Sequence, residues 1–512
     1  MKVLFYCVNS LANIPNLCAE LDLMQTHLDA GDDVYVLRCG GQLSYCNVNP
    51  RHWRSKCYLC TQSLDRGLNA LRPGKLHHQL PVVMDFTDVF GCSWPDFSVL
   101  PTQFEDMTAL LAYRLDGLDL GAAVVSSVVS KTKEHKLDTV RYQAEIYNSL
   151  KSAYLVAKAA DRILNQLQPD RVYFFNGRLA ECRPFLQTCR AMNITSYTIE
   201  RAGDFGRYTL FENALAIDLE YIKSEIERIW LSPKDTEENR REIGKVWFLA
   251  KRQGILTGDK YYGSTQVDDL LPDTFNPAQR NIAVFTTSEY EFAGIKEWQN
   301  PLYADQNEAI LKIAQSLQAD ASCADVHLWV RVHPNMSNRQ CAQLDDLRAI
   351  EAMAFPNLHV IWPESPVDSY TLMEQSDITL TFGSTLGVEA VFWGKPSILA
   401  GRALYEDLDC CYRPASHEEL VALLISNVPA KSQDGAIKYG YRMMRNGRPY
   451  RYFKQTGYYE GEFQGETFRR LAGGWRGQLY HFGLRKLDKF QTRWRRKQTM
   501  TALSSLEDMP VR

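Results

Sequence analysis

From Asn281 onward the chain alternates short apolar runs with amphipathic stretches, and that alternation leaves few folds open. IAVFTT (282–287), HLWVRV (327–332), LHVIW (358–362), ITLTF (378–382) and PSILA (396–400) read as strands, and 305–318, 338–353, 368–375, 385–393 and 417–426 as helices. Runs of about five apolar residues without polar alternation suit strands buried on both faces, hence a parallel sheet covered by helical crossovers. The first half opens in the same way. KVLFY (2–6) is a strand, and 13–29 carries Ile14, Leu17, Leu21, Met24 and Leu28 at helical spacing. Gly31 breaks that helix and VYVLR (34–38) follows as a second strand. A long helix over 142–168, a strand RVYFF (171–175), a helix over 181–192 and a strand TSYTI (195–199) continue the pattern. Residues 39–120 read as an irregular, Cys-rich insertion, 219–255 as polar and helical, and 256–279, with Gly, Pro, Asp and Asn, as a linker. The fold class expected is α/β, with two Rossmann-like domains facing a cleft. The divisions are 1–275, 276–430, and a C-terminal part, 431–512, of helices and a basic aromatic tail.

Charge narrows the function. Lys+Arg 58 against Asp+Glu 61 gives a net charge of −3, which argues against a nucleic-acid partner over the whole surface. No apolar run reaches the ~18 residues of a membrane span. MKVLFYCVNS lacks the order of a secretory signal, so a cytoplasmic location is expected, with the thirteen cysteines mostly reduced.

Two pieces of the second half carry chemistry. In TFGSTLGVEAVFWGKP (381–396) a strand ends at Phe382, Gly383 turns the chain and a helix is expected from Ser384. Ser384 and Thr385 suit its N-cap, and helix-end N–H groups hold anions. Gly387 would admit a ligand closely, and the Glu389 carboxylate would accept from a ribose diol. The alternative is a well-capped crossover without a ligand. In the second piece, RVHPN (331–335), His333 at a strand end would donate to a phosphate oxygen and Arg331 would add charge. FTTSEYEF (285–292) places Ser288 and Glu289 at another strand end, facing donor or acceptor.

The His-Pro element followed by the Ser-Thr/Gly/Glu helix and Gly-Lys-Pro, over about 281–400, resembles the donor-binding domain of GT-B glycosyltransferases. It is most similar to that of bacterial capsule and surface-polysaccharide biosynthesis proteins. Residues 171–213, with RVYFFNGR, ECRPF and TIERAGDFGRYTLFEN, are also similar to capsule-type proteins. The resemblance implies that His333, Ser384 and Thr385 hold the donor phosphates and Glu389 the ribose. It makes 1–275 the acceptor side and 276–430 the nucleotide-sugar domain. Asn335 stands where a second basic residue would follow His-Pro. On the acceptor side Asn176, Arg178 and Arg201 line the cleft. Glu200 and Asp204 are the candidate bases for an acceptor hydroxyl, with Asp85 and Asp88 behind them. No D-x-D sits in the context of a metal-bound nucleotide, so donor binding without a catalytic metal is expected. The function expected is transfer of a sugar from a nucleotide-activated donor to a surface polysaccharide or lipid-linked acceptor. A sugar-nucleotide epimerase of the same fold and a non-catalytic assembly protein are the alternatives.

Two features lie outside that scheme. Cys39, Cys46, Cys57 and Cys60 form C-x6-C-x10-C-x2-C, whose second half has zinc-knuckle spacing. Structural zinc is the favoured reading, with an iron–sulfur cluster or four thiols as alternatives. Residues 469–497 hold ten Lys/Arg and one acid with interleaved aromatics, suited to an anionic inner-membrane surface.

Overall fold

The computed structural model describes residues 1–10, 14–255, 265–457 and 459–469. The basic tail therefore lies outside the described residues, apart from Arg469.

Two parallel sheets organise the chain. The strands of the first are β1 (Lys2–Cys7), β2 (Asp33–Arg38), β3 (Val82–Asp85), β6 (Arg171–Phe175), β7 (Ser196–Arg201), β8 (Arg207–Glu212) and β14 (Arg448–Pro449). A small hairpin, β4 (Arg114–Leu115) and β5 (Leu118–Asp119), stands apart. The second sheet is formed by β9 (Arg280–Phe285), β10 (Val326–Arg331), β11 (Leu358–Ile361), β12 (Ile378–Thr381) and β13 (Ser397–Leu399). The antiparallel strands β15 (Phe453–Gly457), β16 (Glu460–Phe463) and β17 (Glu466–Arg469) close the described chain.

The first sheet runs β14-β8-β7-β6-β1-β2-β3, parallel except at its β8 and β14 edge. Leu4 sits opposite both Tyr35 and Val172. The second sheet runs β11-β10-β9-β12-β13, parallel throughout. In each, the chain starts at a central strand, builds outward on one side and then crosses to the other. The crossing falls between β1 and β6 in one sheet and between β9 and β12 in the other. Ligands of open α/β sheets bind at such a switch point, beyond the strands' C-terminal ends. Full burial along β12 and nearly full burial along β1 and β9 explain their unbroken apolar runs.

Part of the segment read as an irregular insertion continues the first sheet. The helix Arg54–Ala70 crosses over to β3, which pairs parallel with β2. Val82 and Val83 are exposed, so β3 lacks the pattern of a buried strand. The C-terminal region also differs from the expected run of helices: after the helix Asp434–Arg445 it forms strands. β14 joins the first sheet, and Phe453, Phe463 and Phe468 enter the core beside Val3, Phe5 and Leu17.

The two sheets share packing elements. The helix Leu120–Thr132 starts where the Asp119 carboxylate accepts the Ala122 N–H, and its Val124 and Val128 share a core with Val284, Leu328 and Leu380. The helix Glu237–Arg252 crosses Asp434–Arg445 so closely that a Cβ on Gly440 would lie 2.3 Å from the Gly244 carbonyl oxygen. Its Phe248 stacks on Phe392 at 4.1 Å. These contacts fix the direction of its last turn, which carries Lys251. Among the described residues, no helix is long and apolar enough to cross a membrane.

Candidate functional site

Strand order brings the sequence-predicted loops together. β9 lies between β10 and β12, so the loops bearing His333 and Ser384 stand two strand spacings apart, roughly 10 Å. The loop after β9 lies between them, and Thr286 Oγ1 there accepts the His333 backbone N–H at 3.0 Å. His333 Nδ1 accepts the Asn335 N–H at 3.0 Å. That bond assigns the proton of the neutral ring to Nε2, the atom a phosphate oxygen would need.

The turn after β12 differs from the expected anion-holding helix end. The helix begins at Leu386, two residues late, and ends at Phe392. The Gly383 and Ser384 amides donate to Thr381 Oγ1, and the Leu386 amide donates to Ser384 Oγ. With those N–H groups satisfied internally, charge at this turn comes from a side chain. Lys251 Nζ lies 2.7 Å from Thr385 Oγ1 and 3.0 Å from Glu389 Oε1.

Several expected contacts are redirected inward. Arg331 is buried, and its guanidinium donates to the Trp362 and Ser365 carbonyls and to Ser369 Oγ, away from any phosphate. Burial lowers it to about 10. Glu389 is 1% exposed, and it takes the Tyr370 hydroxyl at 2.5 Å as well as the Lys251 ammonium, so no carboxylate face is open to a diol. Gly387 makes room for the protein itself: a Cβ there would lie 2.4 Å from Tyr405 Oη, whose hydroxyl donates to the Ser384 carbonyl. Ser288 is buried against Met336. Glu289 accepts the Gln306 N–H at 2.9 Å and faces His135 at 3.7 Å.

On the first sheet's edge, Asn176 and Gly177 make the expected tight turn with positive φ. A Cβ on Gly177 would meet Thr198 Cγ2 at 2.7 Å. The turn aims Asn176 Nδ2 at the Glu200 carboxylate, 2.6 Å away. Burial pushes Glu200 above the usual carboxylate range, against the Asn176 amide, the Arg201 N–H and the Arg201 and Arg178 charges, which pull it down. Arg201 stacks over Tyr459. Asp204 is separate: its carboxylate accepts the Gly206 N–H within a turn between β7 and β8. Asp85 and Asp88 are a reciprocal cap on the helix Phe86–Phe90.

The edges of the two sheets meet at a cluster of cations that the motifs did not reveal. The Arg178 guanidinium lies within the field of Glu291 and Tyr290 from the second half and of Glu200 and Glu181 from the first, and its buried Nη1 has no hydrogen-bond partner. Lys133 Nζ sits 3.7 Å from the Tyr290 ring centroid and Arg339 Cζ 5.8 Å from it. Asn335 Nδ2 donates to Tyr290 Oη at 2.6 Å and to Glu291 Oε1 at 3.2 Å, which ties the His333 loop into the same cluster. Burial, with Arg339 and Arg178 adding to it, lowers Lys133 to about 8. Burial is the larger part of that shift, and the Glu291 carboxylate works against it. Arg339, six residues beyond His333, lies too far past His-Pro to have been read as the second basic residue, which the sequence lacks at Asn335. Lys133, at the left-handed end of the helix Leu120–Thr132, had no sequence signal.

Among the described residues, one group of three or more His, Cys, Asp or Glu ligand atoms lies mutually within 4.8 Å: His135, Asp305 and Asp346. The Lys136 ammonium already bridges the two carboxylates at 2.8 and 2.7 Å. Cys39, Cys46, Cys57 and Cys60 line one pocket at the C-terminal ends of β1 and β2.

Residues 279–408 match the family model described as Capsule polysaccharide biosynthesis protein. The resemblance carried by the His-Pro and Ser-Thr elements thus holds over the segment that forms the second sheet up to Leu408. Comparison with curated proteins gives no match. Among solved structures, the Thermosulfurimonas dismutans KpsC beta Kdo 2,4 transferase is 11% identical, over 53% of this chain and 79% of that one, with a TM-score of 0.34. A UDP-GlcNAc 2-epimerase from Neisseria meningitidis is 12% identical over 88% and 96%, with a TM-score of 0.22. The glycosyltransferase SnogD from Streptomyces nogalater is 12% identical over 87% and 95%, also at 0.22. At these scores the likenesses fix neither the reaction nor its substrates.

Proposed function

We propose that the protein is a glycosyltransferase of polysaccharide biosynthesis. It takes a sugar from a nucleotide-activated donor and passes it to a growing surface polysaccharide or a lipid-linked acceptor. The observation that carries this reading is the cation cluster of Lys133, Arg178 and Arg339 beside His333, where the loops of the two sheets meet. A donor diphosphate or monophosphate would pair with these cations.

In this reading 276–430 is the donor domain and 1–275 the acceptor domain, with the site in the gap separating their strand ends. His333 Nε2 and the Ser384 and Thr385 hydroxyls hold the phosphates, and Lys251 positions Thr385. Asn176, Arg178 and Arg201 border the acceptor. Glu200 is the base that removes the acceptor hydroxyl proton, its raised affinity for protons suiting that task. Asp204 is the weaker candidate, being engaged in its own turn. Lys133, Arg178 and His333 offset charge on the leaving phosphate, so transfer needs no metal in this scheme. The basic tail would hold the protein at the cytoplasmic face of the inner membrane, close to lipid-linked acceptors.

Purified protein is incubated with a panel of nucleotide sugars and with lipid-linked or oligosaccharide acceptors. Sugar transfer supports the proposal. Epimerised donor, or binding without turnover, overturns it. His333→Ala should raise the donor KM about tenfold, the weight of one hydrogen bond to a charged group, with little change in thermal unfolding.

A further inference from the structure

The N-terminal sheet carries a second constellation of chemistry-bearing groups that sugar transfer does not use. Cys39 directly follows β2, Cys46 lies in the next loop, and Cys57 and Cys60 occupy one face of the helix Arg54–Ala70, three residues apart. All four line a single pocket, together with Cys7 at the end of β1. The thirteen cysteines form no disulfide.

The surroundings of these sulfurs are those of ligands. The Gly41 N–H points at Cys39 Sγ (3.4 Å), the Asn49 N–H at Cys46 Sγ (3.3 Å) and Asn49 Nδ2 at Cys57 Sγ (3.2 Å). Lys56 lines the same pocket and would offset the charge of bound thiolates, whereas Arg38, also in its lining, is paired with Asp65. The turn carrying Cys39 is built for close approach: Gly40 and Gly41 both have positive φ, and a Cβ on Gly41 would sit 3.2 Å from Cys57 Cβ.

Spacing discriminates between metal centres. A single tetrahedral zinc with Zn–S bonds of about 2.3 Å holds its four sulfurs about 3.8 Å from one another. Here no three of the sulfurs lie mutually within 4.8 Å, although all four surround one pocket. In a [4Fe–4S] cluster each thiolate binds a different iron at the corner of a cube, so the sulfurs stand farther apart around a larger core. N–H donors to sulfur are also among the groups that tune such clusters.

We infer that Cys39, Cys46, Cys57 and Cys60 are the four thiolate ligands of a [4Fe–4S] cluster at the C-terminal edge of the first sheet. The cluster ties the Gly-Gly turn, the Cys46 loop and the start of the helix Arg54–Ala70 to β1 and β2. The zinc expected from the CxxC spacing gives way to this larger centre because the sulfurs are spread too widely. The inference is independent of the reaction proposed above.

The test is the composition of the full-length protein, expressed with iron and cysteine supplied and purified without oxygen. Iron, zinc and acid-labile sulfide are measured per chain, with the visible absorption spectrum before and after dithionite. About four irons and four sulfides per chain, with a visible band that bleaches on reduction, is the expected result. One zinc per chain without sulfide overturns the cluster, and absence of both metals overturns the site. The Cys57→Ser/Cys60→Ser double variant should lose the iron, whereas Cys92→Ser, at an exposed cysteine outside the pocket, should retain it. If the double variant fails to fold, the metal and sulfide content of the unaltered protein still decides.

Discussion

The two parallel sheets follow one plan and furnish their ligand edges differently. Beyond β6 and β7 the first sheet brings its own charges: Glu200, Arg178 and Arg201 come from strand ends and the turns next to them. Beyond β9 and β12 the second sheet presents mostly hydroxyls, from Thr286, Ser384 and Thr385, and apart from Arg339, in the loop after β10, its cations arrive from elsewhere. Lys251 comes from the helix Glu237–Arg252 and Lys133 from the end of Leu120–Thr132. One edge draws its charged side chains from its own sheet, while the other depends more on packing between distant segments. Mutations should therefore act locally at the first edge and spread through the structure at the second.

The largest effect is expected at the self-contained edge. Glu200→Gln should lower kcat by about 10²- to 10⁴-fold, the usual contribution of a general base, with thermal unfolding nearly unchanged. The pH profile gives a second readout. A base must be deprotonated to act, and burial holds this carboxyl above its ordinary value. Activity of the unaltered protein should thus rise with pH through an apparent pKa above the usual glutamate range, and Glu200→Gln should lose that limb. A variant of normal activity would break the comparison by removing chemistry from the first edge.

The second effect belongs to the borrowed cation. Lys251→Met leaves the Glu389 carboxylate buried without its ion pair, and should destabilise the protein by about 3 kcal/mol in chemical denaturation. Adding Glu389→Gln should recover a large part of the loss. Equal stability of the single variant would show that the second edge does not depend on this helix.

The smallest effect concerns protonation. Lys133, lowered to about 8, is charged below that pH and neutral above it. Affinity for an anionic donor should therefore weaken as pH rises through about 8, by roughly tenfold, the weight of one charge-assisted hydrogen bond. Lys133→Arg should hold the affinity at high pH, because arginine keeps its proton. Titration calorimetry at pH 7 and pH 9 separates the two. A donor affinity indifferent to pH in both proteins would place the phosphate away from Lys133.

The contrast also explains what could be read from the amino acids alone. Strands buried on both faces announce themselves: RVYFF was read with the observed bounds, and β9, β10, β12 and β13 within two residues at each end. β3 was not legible, because two of its four residues face solvent, nor was β8, whose Thr and Glu interrupt the apolar run. The placement of His333 and Glu200 at strand ends, and the Asn176-Gly177 turn, were legible because strand ends in a parallel sheet gather at one edge. Gly387 and Glu389 were misread for one reason: a small residue and a carboxylate near a ligand edge can equally serve the interior. Tyr405 fills the space beside one, and Lys251 with Tyr370 satisfies the other. Lys133 and Lys251 escaped because partnership between segments more than a hundred residues apart leaves no local pattern.

The return of the C-terminal strands to the first sheet bears on how the molecule is made. The Asp22 carboxylate accepts backbone N–H groups from Arg451, Tyr452 and Phe453, at distances of 2.9, 2.6 and 3.2 Å. Tyr452 leaves the ribosome 430 residues after Asp22, roughly 20–90 s later at common rates of synthesis. Throughout that interval the apolar surface that Phe453, Phe463 and Phe468 will cover stands open. The nascent N-terminal half would thus keep this surface uncovered until the last strands emerge, and a message truncated after residue 430 would yield a polypeptide prone to aggregate.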